Sequence, residues 1–230
     1  NKPTPAEIAY WGGYFFYHNR LHRNYQDDIS LHYYLLASKD GITIGKRYFK
    51  HENNKEDYPF SPSGHNLYDN NSKLYYCRDF DNIVYQIHED SVVPRFRINL
   101  PNPLPASMIE ERPNEMSLLR SGYSLGITDI YEYGGLLFFR FVKDGYIWSC
   151  LYNVEESKQV YCAKRIKFLD SSLIDTIDGI YKDCFYSILT PEYLDYAFSE
   201  NPLEDYPDLF KTYDVEGDNP VIAFYRAVVR

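Results

Sequence analysis

The stretch that decides the fold runs from Arg78 to Asn99, "RDFDNIVYQIHEDSVVPRFRIN". It divides into two strand-like segments, "NIVYQIHE" and "VVPRFRIN", on either side of Asp90-Ser91. An exposed antiparallel hairpin is polar on one face, because successive side chains point to opposite sides and one side meets water. This hairpin is not. Ile83, Tyr85 and Ile87 share one parity and are all apolar, while Val84, Gln86 and His88 share the other and are mixed. The contrast is sharper in "LLFFRFV", where Leu136, Phe138 and Val142 lie on one face with Arg140, and Leu137, Phe139 and Phe141 lie on the other. Strands with two apolar faces belong to sheets that need cover on both sides.

Working outward, four consecutive strands are predicted from His65 to Leu100, "HNLYD", "KLYYCRD", "NIVYQIHE" and "VVPRFRINL", joined by "NNS", "FD" and "DS". A second meander follows from Gly126 to Leu169, its last strand read as "KQVYCAKRIKFL", with turns at Gly134-Gly135, "KDG" and "EES". Gly-Gly and Asp-Gly mark hairpins because tight turns need positive φ. A third set has three candidate strands, Ile8 to His18, Ser30 to Ser38 and Ile42 to Phe49. A fourth begins with "SLIDTIDGIYKD" and "CFYSILT", continues through one or two short helices between Pro191 and Tyr213, and ends on the strand "NPVIAFYRAVV". The segment Leu104 to Gly122 has helical character interrupted by Pro113 and is predicted to cover an edge or a face. Successive meanders buried on both faces stack radially in a β-propeller. A two-sheet sandwich would alternate cleanly in every strand, which these central strands do not. The expectation is an all-β, β-propeller-like fold of four to five four-stranded antiparallel blades with short helical insertions, forming a single domain over residues 1–230.

Composition agrees and narrows the function classes. Tyr occurs 25 times and Phe 14 times in 230 residues, and aromatic rings pack well on pleated surfaces. With 33 acidic against 24 basic residues the net charge is −9, which disfavours phosphate backbones and acidic membrane surfaces, so no nucleic-acid partner is expected. The densest basic run, Lys164-Arg165-Ile166-Lys167, alternates as a solvated strand face would. No apolar run approaches the roughly 20 residues of a membrane span. The four cysteines lack any C-x-x-C spacing and are predicted to be small buried apolar groups. Cys150 and Cys162 nevertheless flank the turn at "NVEESKQ" symmetrically, so they could meet across a hairpin.

No residue is assigned a catalytic or metal-binding role, and no cofactor is expected. His18 and His22 have i, i+4 spacing without the intervening Glu of H-E-x-x-H. Ser63 and His65 in "SPSGH" lack the nucleophile-elbow pattern. Asp79 and Asp81 are expected simply to make the turn before Ile83, and Glu110-Glu111 is equally unspecific. Aromatics are the one feature that could carry binding: Trp11, Trp148, Tyr131, Tyr133 and Tyr146 could offer flat platforms, with Arg78 or Arg140 supplying directed hydrogen bonds. The candidate ligand-binding set is Trp11, Arg78, Tyr131, Arg140 and Trp148.

The stretch Phe80 to Pro105, "FDNIVYQIHEDSVVPRFRINLPNPLP", resembles the signature of the six-bladed β-propeller proteins abundant in gut Bacteroidetes, in which a "DTIYRI"-like strand leads to "P-x-Y-x-I-x-F" and then "LP". Asp81 to Ile87 matches the first part. Pro94 to Leu100 matches the second, with Phe96 for the usual Tyr and Leu100 for the usual Phe. "EGDNPVIAFYRAV", Glu216 to Val228, is similar to that family's closing "DDNPVL" strand. The resemblance covers about the last two thirds of the chain. At roughly 40 to 45 residues per blade the chain holds four or five blades. It also lacks the family's "G-x-G-P-G-E-Y"-like segment and an initiating Met, so it reads as the carboxy-terminal part of a longer propeller. The resemblance implies an extracytoplasmic location, periplasm or cell surface, since family members are typically exported and often lipid-anchored. A partial propeller leaves edge strands open, which makes self-association a further expectation. The expected function is a non-enzymatic binding or interaction module for a glycan, peptide or protein. The alternatives are a propeller hydrolase or lyase working in the axial channel, and a structural or assembly protein.

Overall fold

Gly12 and Gly13 both adopt positive φ, +54° and +80°, and reverse the chain between β1 (Glu7–Trp11) and β2 (Tyr14–His18), which pair in strict register from Glu7–His18 to Trp11–Tyr14. The single strand expected from Ile8 to His18 is therefore a hairpin, made by the same Gly-Gly signal that marks Gly134-Gly135. Addition of β3 (Tyr33–Ser38) and β4 (Ile44–Lys50) completes a four-stranded antiparallel sheet. Asp40 closes its last turn, its carboxylate accepting hydrogen bonds from the N–H groups of Ile42 and Thr43 and from Ser38 Oγ. Those donors hold the Asp40 carboxyl well below the usual carboxylate range.

The computed structural model describes residues 7–19, 32–51, 62, 64–111, 113–164, 166–168, 171–174, 177–200, 213–214, 216–217 and 219–226. His22, Ser63 and Arg165, and the predicted helical residues 201–212, lie outside these. The second sheet is the meander of the opening stretch, β5 (Leu67–Asp69), β6 (Leu74–Cys77), β7 (Ile83–Ile87) and β8 (Val92–Arg97), in chain order. Two short helices, α1 (Ala106–Glu110) and α2 (Glu115–Leu119), follow on either side of Pro113 as predicted. The Asn114 side chain caps α2 by accepting from the Ser117 N–H. The third sheet comprises β9 (Ser124–Tyr133), β10 (Leu136–Lys143), β11 (Tyr146–Asn153) and β12 (Lys158–Ala163).

Beyond it the chain forms a two-stranded sheet, β13 (Ile166–Phe168) with β14 (Ser171–Ile174), and a three-stranded sheet, β15 (Gly179–Tyr181), β16 (Cys184–Leu189) and β17 (Val221–Tyr225). Helix α3 (Pro191–Glu200) lies between β16 and β17 in sequence. The strand expected from Lys158 to Leu169 is thus divided, with its second half paired into a different sheet. The described strands make three complete four-stranded meanders and two smaller sheets in an all-β, partial β-propeller fold.

Contacts group the chain into two units, residues 1–130 with 141–146, and residues 131–140 with 147–230. In the first, both faces of β7 are buried. Ile83, Tyr85 and Ile87 join a core with Phe16, Leu35, Leu67, Leu74 and Tyr76, so this face packs on the first sheet. Val84, of opposite parity, is also 0% exposed. β9 is tied to the turns of the second sheet by the Ile127 N–H donating to Asp81 O and by Asn70 Nδ2 donating to Ile130 O, both at 3.1 Å. Leu118 of α2 packs with Leu125 and Val142 in a smaller core. In the second unit, Leu136 and Phe138 pack with Phe185, Leu189, Leu194 and Ala197, which joins β10, β16 and α3 in one core.

Gly126 carries the closest approach in the first unit. Its φ is +101°, and a Cβ there would stand 2.7 Å from Phe80 Cα, inside the turn between β6 and β7. A side chain cannot be accommodated unless that turn moves. Gly126→Ala is expected to destabilise the protein by about 2 kcal/mol or more, from combined backbone strain and overpacking, measured as a lower denaturation midpoint; an unchanged midpoint would show that the turn can yield.

The cysteines meet expectation in part, Cys77 being a buried apolar group. Cys150 and Cys162 are directly opposite in the β11–β12 ladder and form a disulfide, while Cys77 is buried and free and Cys184 is half-buried and free. A thiol titration of the denatured protein should find two reactive thiols before reduction and four after; four at the outset would contradict the bond.

Candidate functional site

The sheets of the first unit have unlike ends. At one end, two to five residues join β1 to β2, β3 to β4, β5 to β6 and β7 to β8. At the other lie the described residues Asn19, His51, Asn66 and 78–82, several of them polar. His18, Asn19, His51 and Asn66 are all buried at this end.

Arg78 is the focus. It follows β6, and its Nε and Nη2 both donate to Asp81 Oδ2, at 2.9 and 2.6 Å. Asp81 Oδ1 accepts from the N–H groups of Asn82 and Ile83, so one carboxylate both makes the turn, as predicted, and neutralises the guanidinium. The guanidinium carbon stands 5.4 Å from the Phe49 ring centroid and 6.0 Å from that of Tyr34. The side chains of Arg78 and Asp81 are 32% and 12% exposed. Burial by itself works against the charge on Arg78, but the carboxylate more than offsets it and the pKa is raised from an already high value.

The aromatic wall is positioned by backbone geometry. Phe49 has φ +57°, an uncommon conformation for a bulky residue near a strand end. Its ring stacks on Tyr76 at 5.6 Å and meets Tyr85 at 4.5 Å. Tyr34 packs on His51 at 3.6 Å. Tyr76 is fully buried, which pushes its hydroxyl well above the ordinary range, and its OH lies 3.2 Å from His18 Nδ1. At the rim, Glu7 Oε2 accepts from the N–H groups of Asn66 and Leu67, and Glu7 Oε1 is 3.3 Å from Nδ1 of the exposed His65. Asn66 Nδ2 donates to Cys77 O and to Asp79 Oδ1. An arginine with aromatic rings on its flanks and a carboxylate along one edge is a pre-oriented donor, suited to hydroxyl and carboxylate oxygens.

The other sequence-predicted residues lie elsewhere. Trp11 is half-buried against the core of the first two sheets, at the tight-turn end of β1 and so away from Arg78. In the second unit Tyr131 donates its OH to Asp178 O at 2.9 Å and stacks on Phe138. Arg140 is half-buried on β10, and Trp148 is half-buried with Lys164 Nζ 5.8 Å from its ring. Tyr133 meets the Phe185 ring edge-on, whereas Tyr146 is exposed. Tyr34, Phe49 and Asp81, which surround Arg78, were not singled out for binding, and only the "RDFD" turn signalled any of them. Among the described residues no three His, Cys, Asp or Glu side chains group so as to hold a metal ion.

A family model described as a 6-bladed beta-propeller matches residues 8–172. Among solved structures, the crystal structure of a "putative exported protein" from Bacteroides fragilis is similar, with a TM-score of 0.74 at 15% sequence identity, over 98% of this chain and 66% of that one. The chain therefore spans about two thirds of the length of that structure, and the likeness is one of fold. No curated protein matches the chain.

Arg78→Ala leaves Asp81 without its counter-ion and removes the stacked guanidinium. Because Arg78 is partly solvated, the expected loss is about 1–2 kcal/mol, below the 3–5 kcal/mol typical of a fully buried pair. Urea denaturation measures it, and a loss near zero would mean that the pair holds nothing in place.

Proposed function

The chain belongs to the 6-bladed β-propeller family, and on that premise we propose that it is a non-enzymatic binding module of the cell envelope, acting outside the cytoplasm on a glycan or peptide rich in hydroxyl or carboxylate oxygens. The observation that carries this reading is Arg78, close to the rings of Tyr34 and Phe49 and hydrogen-bonded to Asp81 in the turn after β6. A group so constrained loses little freedom when it donates hydrogen bonds, which favours recognition. The Cys150–Cys162 bond supports an oxidising compartment, and the similarity to a structure described as exported points the same way. No helix among the described residues is long and apolar enough to cross a membrane.

A glycan array and an acidic-peptide array, probed with the wild-type chain and with Arg78→Lys, test the proposal. Lysine keeps the charge but loses the planar fork, so a specific ligand should bind the variant at least about tenfold more weakly. Silence on both arrays, or equal binding by the variant, would overturn the assignment.

A further inference from the structure

Arg78 is a cation already answered by an anion. Two of the guanidinium's five N–H donors, on Nε and Nη2, go to Asp81 Oδ2. They lie along one edge of its plane, so the Nη1–Nη2 edge and its parallel donors stand outside the pair. Among the described residues Nη1 makes no hydrogen bond, and 32% of the Arg78 side chain is exposed. What the site offers a ligand is a planar donor fork with its charge neutralised.

The surrounding charges agree. Burial is the main cause that pushes the Cys77 thiol and the Tyr76 hydroxyl upward, but Asp79 raises both, Asp81 also raises Cys77, and Arg78 works against them. Two carboxylates therefore act around one guanidinium. Lys50, beside Phe49, and Arg97, which acts on Tyr85 more weakly than Arg78 does, are both exposed, where water and salt weaken their pull. A ligand carboxylate would add a third anion next to Asp79 and Asp81, with Arg78 already paired. A neutral hydroxyl group carries no such penalty. Tyr34 and Phe49, both half-buried, add apolar contact area within 6.0 and 5.4 Å of the guanidinium carbon, which suits the C–H face of a sugar ring.

Taking the binding role proposed above as given, we infer that the ligand is an uncharged sugar held through a vicinal diol, one hydroxyl oxygen accepting from Nη1 and its neighbour from Nη2. Adjacent ring hydroxyls set two acceptors side by side, as a carboxylate does, without a carboxylate's charge. The planar fork matches that pair and an ammonium does not.

Three sets of immobilised probes test this with the 230-residue chain: neutral oligosaccharides, the same oligosaccharides after mild periodate cleavage of their vicinal diols, and uronic-acid oligosaccharides together with acidic peptides. The wild type should bind a neutral oligosaccharide and lose at least about tenfold in affinity after periodate. Arg78→Lys, with unchanged circular dichroism, should lose as much on the untreated probe. Arg78-dependent binding of uronic acids or acidic peptides in preference to neutral sugars would overturn the inference and leave the binding role standing. Neutral-sugar binding that survives periodate would overturn the diol contact. Silence on all three sets, or binding indifferent to Arg78→Lys, would remove the binding role and the inference with it.

Discussion

The central strands β3, β6, β7 and β10 answer to one constraint, namely that both of their faces carry buried side chains. In β7 the consecutive parities end at Val84, fully buried on one side, and Ile87, fully buried on the other. A single sheet cannot satisfy that, since each face left in water would forfeit roughly 25 cal/mol for every square ångström of apolar surface. The second sheet meets the first through Tyr76, Tyr85 and Ile87, and its β6–β7 turn is tied to β9. Stacking, rather than hydrogen bonding within a sheet, is what makes these meanders a fold.

Close stacking brings turns as well as side chains together. The β6–β7 turn sits against Gly126, accepts a hydrogen bond from the Ile127 N–H at the Asp81 carbonyl, and spends the Asp81 side chain on both its own backbone and Arg78. The candidate site therefore shares its atoms with the seam that supports it.

Much of the framework was legible in the sequence, because hairpin turns and two-residue alternation are local. "RDFDNIVYQIHEDSVVPRFRIN" yielded β7 and β8, and Pro113 divided α1 from α2 where expected. Two local signals were misread. Gly12-Gly13 is a hairpin turn inside what looked like one strand, and the alternation of Lys158 to Leu169 runs across a change of sheet. The site was less legible. Arg78 stands close to rings from β3 and β4, roughly forty-four and thirty positions away in sequence, and no pattern of spacing announces that Phe49 turns through positive φ to reach it.

By itself, then, the sequence determined that the chain makes antiparallel meanders with two buried faces, since alternation and turn chemistry act over a few residues and do not depend on what lies beyond them. Only the tertiary structure decided which residues are brought together. It paired Cys150 with Cys162, packed Trp11 and Tyr131 against cores, left Ile222 and Phe224 uncovered on β17, and assembled Arg78, Tyr34 and Phe49. The reason is physical. Burial and cation–π contact depend on distance in space, and stacking sets that distance between residues that are far apart in the chain.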